Sequence, residues 1–217
     1  MKYLLNEVKM TTILLFFLFI IVINVFPISI NIVLLSFSIL LILYLKPKIF
    51  KHEIMLYIIS TILAILSFIY SSSDYFNYFN RGYVSIALFI IIMFAGVLPE
   101  KWIITRLMLK TRGTFSIIGF ILISPHAFLH LFSIFEGINL FGIISYALMV
   151  PLTIISFKTI RREINPRDWK TIQKASYVIY FSLFLHLIWI GDWFDKIIYA
   201  ILITLYINNK LIKEYKK

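Results

Sequence analysis

Long apolar runs separated by short polar segments make up most of the chain. Because these runs are continuous and do not alternate with polar residues, they predict membrane-spanning helices and argue against the strands of a membrane β-barrel. A helix that crosses the hydrocarbon core of a bilayer needs about 20 residues, with a short limit of about 17. The pattern therefore predicts an all-α, polytopic bundle of about eight spans. The runs are Met10–Phe26, Ser29–Leu45, Ile54–Tyr70, Tyr83–Leu98, Thr114–Phe135, Ile138–Phe157, Ala175–Ile190 and Ile197–Ile207.

The composition agrees with a chain whose solvent is the bilayer. Hydrophobic residues make up 61% and charged residues 14% of the 217 residues, and the mean hydropathy is +0.96. Soluble domains have about 25% charged residues. The chain has no cysteine, which excludes disulfides, iron–sulfur clusters and thiolate zinc sites.

The basic residues predict the orientation of the spans. With eight spans and a cytoplasmic N-terminus, nineteen of the 21 Lys and Arg residues fall on one side, and only Arg81 and Lys196 fall on the other. Basic loops are typical of the cytoplasmic side. We therefore expect both termini in the cytoplasm of a multi-pass protein of the plasma membrane, such as a bacterial inner membrane. Topology and anionic lipid then account for the net charge of +11, and we expect no nucleic-acid partner.

The basic segment Pro99–Arg112 divides the chain into two parts. Residues 1–98 are predicted to form about four N-terminal spans, and residues 99–217 a second bundle of about four spans. The segment itself predicts an amphipathic helix in contact with membrane lipid, although it could also line a flavin or quinone headgroup. The shortest run, Ile197–Ile207, could lie partly in the membrane interface.

Three of the four histidines fall inside apolar runs. His52 lies in a basic loop and is expected to be solvated, whereas His126, His130 and His186 lie within predicted spans. An ionisable side chain inside a membrane is by default a functional hypothesis. The alternative is a structural role, in which the histidine makes a hydrogen bond between helices.

Two of these histidines are predicted at the same depth. His126 follows Arg112 by 14 residues, and His186 follows Gln173 by 13, which correspond to about 21 and 20 Å along helices that both run outward. Two imidazoles at one depth favour a metal or heme site, and they match the bis-histidine ligation of a b-type heme. His130, one turn beyond His126, could replace it as ligand or bond a heme propionate.

The second part of the chain contains three further stretches that fit this hypothesis. They are Thr111–Gly119 leading to His126, Gly142–Ser145 through Pro151–Phe157, and Trp169–Tyr177 leading to His186. With them, the chain from about Arg106 to Trp189 resembles the ferric-reductase-like transmembrane domain family. That family includes ferric reductases, NADPH oxidases and the heme-binding membrane subunit of the bacterial methionine-sulfoxide reductase system. The resemblance implies a helical bundle that binds b-type heme and passes electrons through the membrane.

The resemblance also implies a departure from the family. Its two-heme members have a second histidine pair, at the positions that match Arg112 and Gln173. Arg112 cannot ligate iron, and Gln173 is at best a weak ligand. We therefore expect one heme in the outer half of the membrane, with His126 and His186 as axial ligands. Arg112 could pair with a propionate or anchor its helix at the interface.

The expected activity is electron transfer from a quinol or a reduced flavin, such as FMN, to an acceptor at the outer face. A partner flavoprotein or an extracytoplasmic redox protein would supply or receive the electrons. The sequence has no glycine-rich dinucleotide fingerprint and few residues after the last run, so we expect an oxidoreductase membrane subunit and not a complete NADPH-dependent reductase. The alternative is a heme-free transporter or scaffold with structural histidines, although we find no internal repeat of the transporter kind.

Overall fold

The computed structural model describes residues 27–73, 76–130 and 140–215, and this part of the chain is helical without strands. The predicted all-α class is thereby confirmed for the described residues. The first predicted span, Met10–Phe26, lies outside them. The helices are α1 Ile28–Leu45, α2 Glu53–Ile69, α3 Asn77–Asn80, α4 Tyr83–Ala95, α5 Ile103–Leu129, α6 Leu140–Ile154, α7 Lys158–Glu163, α8 Pro166–Gln173, α9 Ala175–Ile190 and α10 Trp193–Tyr215, with a short 3-10 turn at Ile49–Lys51.

Helix α5 corrects the prediction of a separate connector before the fifth span. The segment predicted as an interfacial connector, Pro99–Arg112, and the span predicted from Thr114 belong largely to one helix, which begins at Ile103. The reason is that buried positions recur every three or four residues through the basic segment, so one face of the helix stays in contact with the core. These buried positions are Thr105, Met108, Thr111 and Phe115.

Two other segments also differ from the prediction. The last helix, α10, begins before and ends after the predicted run Ile197–Ile207. The polar segment between the sixth and seventh predicted runs contains two short helices, α7 and α8. Helix α8 begins where Asn165 accepts a hydrogen bond from the Arg167 amide at 2.9 Å and Pro166 occupies the first turn, a combination that favours helix initiation.

Six of the helices pack in a closed order. Helix α1 contacts α4, α4 contacts α5, α5 contacts α6, α6 contacts α9, α9 contacts α10, and α10 contacts α1. Helix α2 packs outside this ring, against α5. Helix α4 is buried almost all round, from Tyr83 to Ala95, as expected for a helix that is apolar on every face.

Helix α2 presents large apolar side chains outward and small side chains inward. Ser60, Ala64 and Ser67 are buried, and both serine hydroxyls donate to backbone carbonyls of their own helix. A soluble protein rarely exposes a contiguous apolar surface of this kind, whereas small residues at contacts between helices are typical of bilayer proteins. The outward side chains, with their exposed fractions, are Ile54 75%, Ile58 56%, Ile62 52%, Ile65 53% and Ile69 63%.

Two of the described helices are long and apolar enough to cross a membrane, namely α1 and α5. Three other helices, α2, α4 and α6, are apolar but shorter.

One end of the bundle brings together the basic loops, and we call it the basic end. There Lys158 Nζ forms an ion pair with Glu53 Oε1 at 2.7 Å, which joins the start of α7 to the start of α2. Lys213 Nζ pairs with Glu100 Oε1 at 3.1 Å, which joins the end of α10 to the segment between α4 and α5.

The opposite end, which we call the histidine end, contains the starts of α1, α6 and α10 and the end of α5. Asp195 is 1% exposed there, and its Oδ1 accepts hydrogen bonds from the Ser29 amide at 2.8 Å and the Ser29 hydroxyl at 2.6 Å. A carboxylate at the first turn of a helix satisfies an amide that has no partner within the helix, and it interacts favourably with the helix dipole. Asp195 therefore holds α10 against the start of α1.

Candidate functional site

Two histidines from different helices face each other at the histidine end. His126 lies in the last turn of α5, and His186 lies near the end of α9. The centres of their rings are 6.4 Å apart, and the ring planes are inclined by 72°. The two side chains that the sequence predicts at one depth are therefore neighbours in space.

The ring of His126 is oriented by a backbone carbonyl. Its Nδ1 lies 2.8 Å from the carbonyl oxygen of Asn80, the last residue of the short helix α3. Because a carbonyl oxygen can only accept, Nδ1 must donate, and the lone pair of a neutral ring is then on Nε2. This is the tautomer of a histidine that binds a metal through Nε2, and a carbonyl is a common second partner of such a ligand.

A glycine leaves room for the ring of His186. A side chain at Gly142, in the first turn of α6, would place its Cβ 2.9 Å from His186 Nδ1 and 3.0 Å from Cε1. The adjoining contact between α6 and α9 is fixed by Ser182, whose hydroxyl donates to the Phe141 carbonyl at 2.7 Å. Any side chain at position 142 would therefore require the His186 ring to move.

A second glycine allows the turn that precedes α4. Gly82 has φ +73°, a conformation that costs little only for glycine. A Cβ there would lie 2.5 Å from Ile123 Cδ1, on the helix that also contains His126. The turn can therefore bring the Asn80 carbonyl to the His126 ring.

His130 lies beside His126 but at the surface. The two rings are 4.7 Å apart, as expected for residues one helical turn apart on the same face. His130 follows the end of α5 and is exposed. The structure therefore brings all three predicted histidines together, with His126 and His186 on the inner side.

A cavity of about 130 Å³ lies between the histidines. It is mainly apolar, with Ile123, Ile143 and Leu183 in its wall, and the cation Arg81 also lines it. Tyr146 forms another part of the wall, and its hydroxyl donates to Ser124 Oγ at 3.1 Å. The site thus combines imidazoles, one guanidinium and apolar walls.

The spacing of the two imidazoles fits a metal held between them. Metal–nitrogen bonds of about 2 Å on opposite sides of one ion place two ring centres roughly 6 Å apart, close to the observed 6.4 Å. Among the described residues, no group of three or more His, Cys, Asp or Glu side chains is arranged to hold a metal ion. His126 and His186 thus offer two nitrogen donors from different helices. A porphyrin is larger than the cavity, so its binding requires the lining side chains to move apart.

The other two predicted residues, Arg112 and Gln173, lie away from the histidines. Both line a second cavity, of about 300 Å³, at the basic end. Arg112 and Gln173 are thus close to each other, as their predicted depth requires, but their cavity is separate from the one that the histidines line. The lining contains no histidine, so among the described residues nothing here offers a second imidazole pair.

No protein-family model matches the chain, and neither the curated proteins nor the solved structures contain a match. The resemblance to ferric-reductase-like domains therefore rests on the residues quoted above.

Sequence reasoning missed four residues that shape the site or its end of the bundle. They are Asn80, Arg81, Gly142 and Asp195. Asn80 acts through its backbone, so its side chain gives no signal. The sequence could have indicated Arg81, because it is one of only two basic residues predicted on the outer side.

Proposed function

We propose that this chain is a multi-pass membrane protein that binds one b-type heme, with His126 and His186 as the axial ligands. Its activity is electron transfer from a quinol or a reduced flavin, such as FMN, to an acceptor on the side of the histidine end. The observation that supports this best is the 6.4 Å separation of the two imidazoles, together with the Nδ1 bond that leaves His126 Nε2 as the ligating atom. We also infer membership of the ferric-reductase-like family from the stretches that lead to these histidines.

The proposed membrane arrangement has about eight spans, with the basic end at the cytoplasm of the plasma membrane. Three observations support it. Helices α1 and α5 are long enough to span, the outer face of α2 carries large apolar side chains from Ile54 to Ile69, and the basic segment before α2 meets the basic segment after α6 at one end. A cytoplasmic location for that end follows from the preference of basic loops for the inner side.

The residues of the site each have a proposed task in holding the cofactor. The Asn80 carbonyl keeps the His126 ring in one tautomer and raises the basicity of Nε2. Gly142 leaves the space that the His186 ring occupies. Arg81 provides a positive charge in the cavity wall, which can pair with a carboxylate of the porphyrin. Bound heme supplies a one-electron redox couple, and the apolar wall limits the access of water to it.

A single heme is part of the proposal. Arg112 and Gln173 line the basic-end cavity, and neither is a good iron ligand. The donor must therefore deliver electrons from the membrane or from the basic end over roughly 20 Å, as estimated from the rise of the two helices.

One observation favours a second candidate function. The bond from His126 to the Asn80 carbonyl joins α5 to α3, and a purely structural histidine would make the same bond. In that case the chain would be a heme-free transporter or scaffold.

The reduced-minus-oxidised absorption spectrum distinguishes the two candidates. The protein would be expressed with heme supplementation, purified in detergent and reduced with dithionite. We expect a sharp b-type α-band that disappears in His126→Ala and in His186→Ala. His52→Ala is the matched control, because His52 lies between the 3-10 turn and α2 at the basic end, and it should keep the band. A colourless wild-type protein would reject heme binding and favour the structural role.

A further inference from the structure

The cavity at the basic end has a lining that differs in kind from that of the histidine site. Residues from α2 and from every helix from α4 to α9 contribute to it, and its volume is about 300 Å³. Liquid water occupies about 30 Å³ per molecule, so the space is that of a small organic group and not of a single ion.

The charges around this cavity are strongly unbalanced. Lys158 pairs with Glu53, the one carboxylate of the lining, at 2.7 Å, and these two charges compensate each other. Three cations remain, and among the described residues none of the three has a carboxylate within ion-pair distance. These cations are Lys110, Arg112 and Arg161.

The same lining has an excess of hydrogen-bond donors. The indole Nε1 of Trp169 is buried and has no acceptor within the described part of the chain. Arg161 lies over the Trp169 ring, with its guanidinium carbon 4.3 Å from the ring centre, so each side chain restrains the other. Arg112 lies beside the hydroxyl of Tyr180. A ligand that satisfies these groups must accept hydrogen bonds and must be negatively charged.

We propose that the basic-end cavity binds a phosphate monoester, with Arg112 and Arg161 as its main partners. Guanidinium groups bind phosphate oxygens in pairs, and a dianion matches the surplus of positive charge better than a carboxylate does. The indole N–H of Trp169 provides a further donor. The apolar walls at Ile92 and Leu152 give room for the organic part of the ligand.

The phosphate monoester could come from two sources. One is the headgroup of an anionic lipid with a terminal phosphate, such as phosphatidic acid. The other is a soluble phosphate compound from the side of the basic end. The proposal does not depend on heme, because the two cavities share no lining residue.

The test compares two double variants of the full chain in phosphatidylcholine nanodiscs. Arg112→Gln with Arg161→Gln removes two cations of the lining. Arg106→Gln with Arg167→Gln removes two exposed cations outside it and is the matched control. One arm titrates phosphatidic acid into the nanodiscs and follows binding by native mass spectrometry. The other arm titrates inorganic phosphate and phenyl phosphate by calorimetry.

We expect the wild type to bind in at least one arm, and the arm that responds identifies the source. The lining variant should bind at least about tenfold more weakly, since it loses two charge-assisted interactions. The control should stay within about twofold, because its two charges lie outside the lining of the cavity. Equal weakening in both double variants, or no binding of any probe to the wild type, would overturn the proposal.

A single substitution keeps the test valid if the lining double variant does not fold. Trp169→Phe preserves the aromatic ring under Arg161 but removes the indole donor. It should bind the responding probe several-fold more weakly, with an unchanged elution volume and melting temperature. Unchanged binding by Trp169→Phe would overturn the proposal.

Discussion

The ring of His126 on α5 and the ring of His186 on α9 lie edge to face with their centres 6.4 Å apart. Two helices that run in the same direction each bring one imidazole to the same end of the bundle. The heme proposal depends on this relationship, and several of its consequences can be measured.

Gly142→Ala should weaken heme binding without removing either histidine. The added Cβ would lie 2.9 Å from His186 Nδ1, so the ring must shift. A metal ligand that moves by about 0.5 Å no longer has the geometry that binding requires. We expect heme affinity to fall by about tenfold, an effect typical of changes next to a metal ligand. Heme titration of the apoprotein measures this.

Gly96→Ala is the matched control for that change. Its Cβ would approach only the Met93 carbonyl oxygen, at 3.4 Å, far from the histidines. If both alanine variants lose heme affinity equally, or if neither does, the space at Gly142 is not needed for His186 to bind heme.

His130→Ala should keep the heme. His130 is exposed and follows the end of α5, whereas the ring that faces His186 belongs to His126. The α-band should therefore retain its position and most of its intensity, in contrast with His126→Ala. A complete loss of the band in His130→Ala would show that the ligand is one turn further along the helix.

Asp195→Ala should destabilise the bundle without affecting heme ligation directly. The change leaves the buried amide and hydroxyl of Ser29 without the acceptor they now share. Leaving such groups unsatisfied costs about 1–3 kcal/mol. Thermal unfolding in detergent should show a lower melting temperature. Asp192→Ala is the control, because Asp192 is exposed, and an equal effect there would exclude a specific role for Asp195.

Single cysteines can test the membrane arrangement, because the chain has none of its own. Arg81→Cys and Lys196→Cys should react with an impermeant maleimide added to intact cells. Lys101→Cys and Lys158→Cys should react only after the membrane is opened. Labelling of all four positions from one side would contradict the proposal that the basic end faces the cytoplasm.

Much of the fold was predictable, because continuous apolar runs specify helices regardless of their partners. Helix α9 has the predicted bounds, Ala175–Ile190, and α1 begins one residue before its predicted start. The basic part of α5 was not predictable from hydropathy, since its charged residues interrupt the apolar run while its buried face continues. The bounds of α10 were missed because charged and polar residues flank its apolar run.

The candidate site was predictable in its ligands but not in their surroundings. Counting residues from Arg112 and Gln173 puts His126 and His186 at one depth, because the rise of a helix is fixed. Sequence spacing does not show that the Asn80 carbonyl contacts His126, or that Gly142 lies against His186. Both relationships arise from packing between helices, which depends on loop geometry and not on periodicity.

Electron paramagnetic resonance of the oxidised, heme-loaded protein tests the central claim most directly. If His126 and His186 both ligate one iron, the spectrum should show low-spin ferric heme with two imidazole ligands, at one heme per chain. His186→Ala should convert any remaining heme to a high-spin signal, because one axial ligand is lost. A high-spin signal in the wild type, or two hemes per chain, would contradict the assignment of His126 and His186 as the axial pair of a single heme.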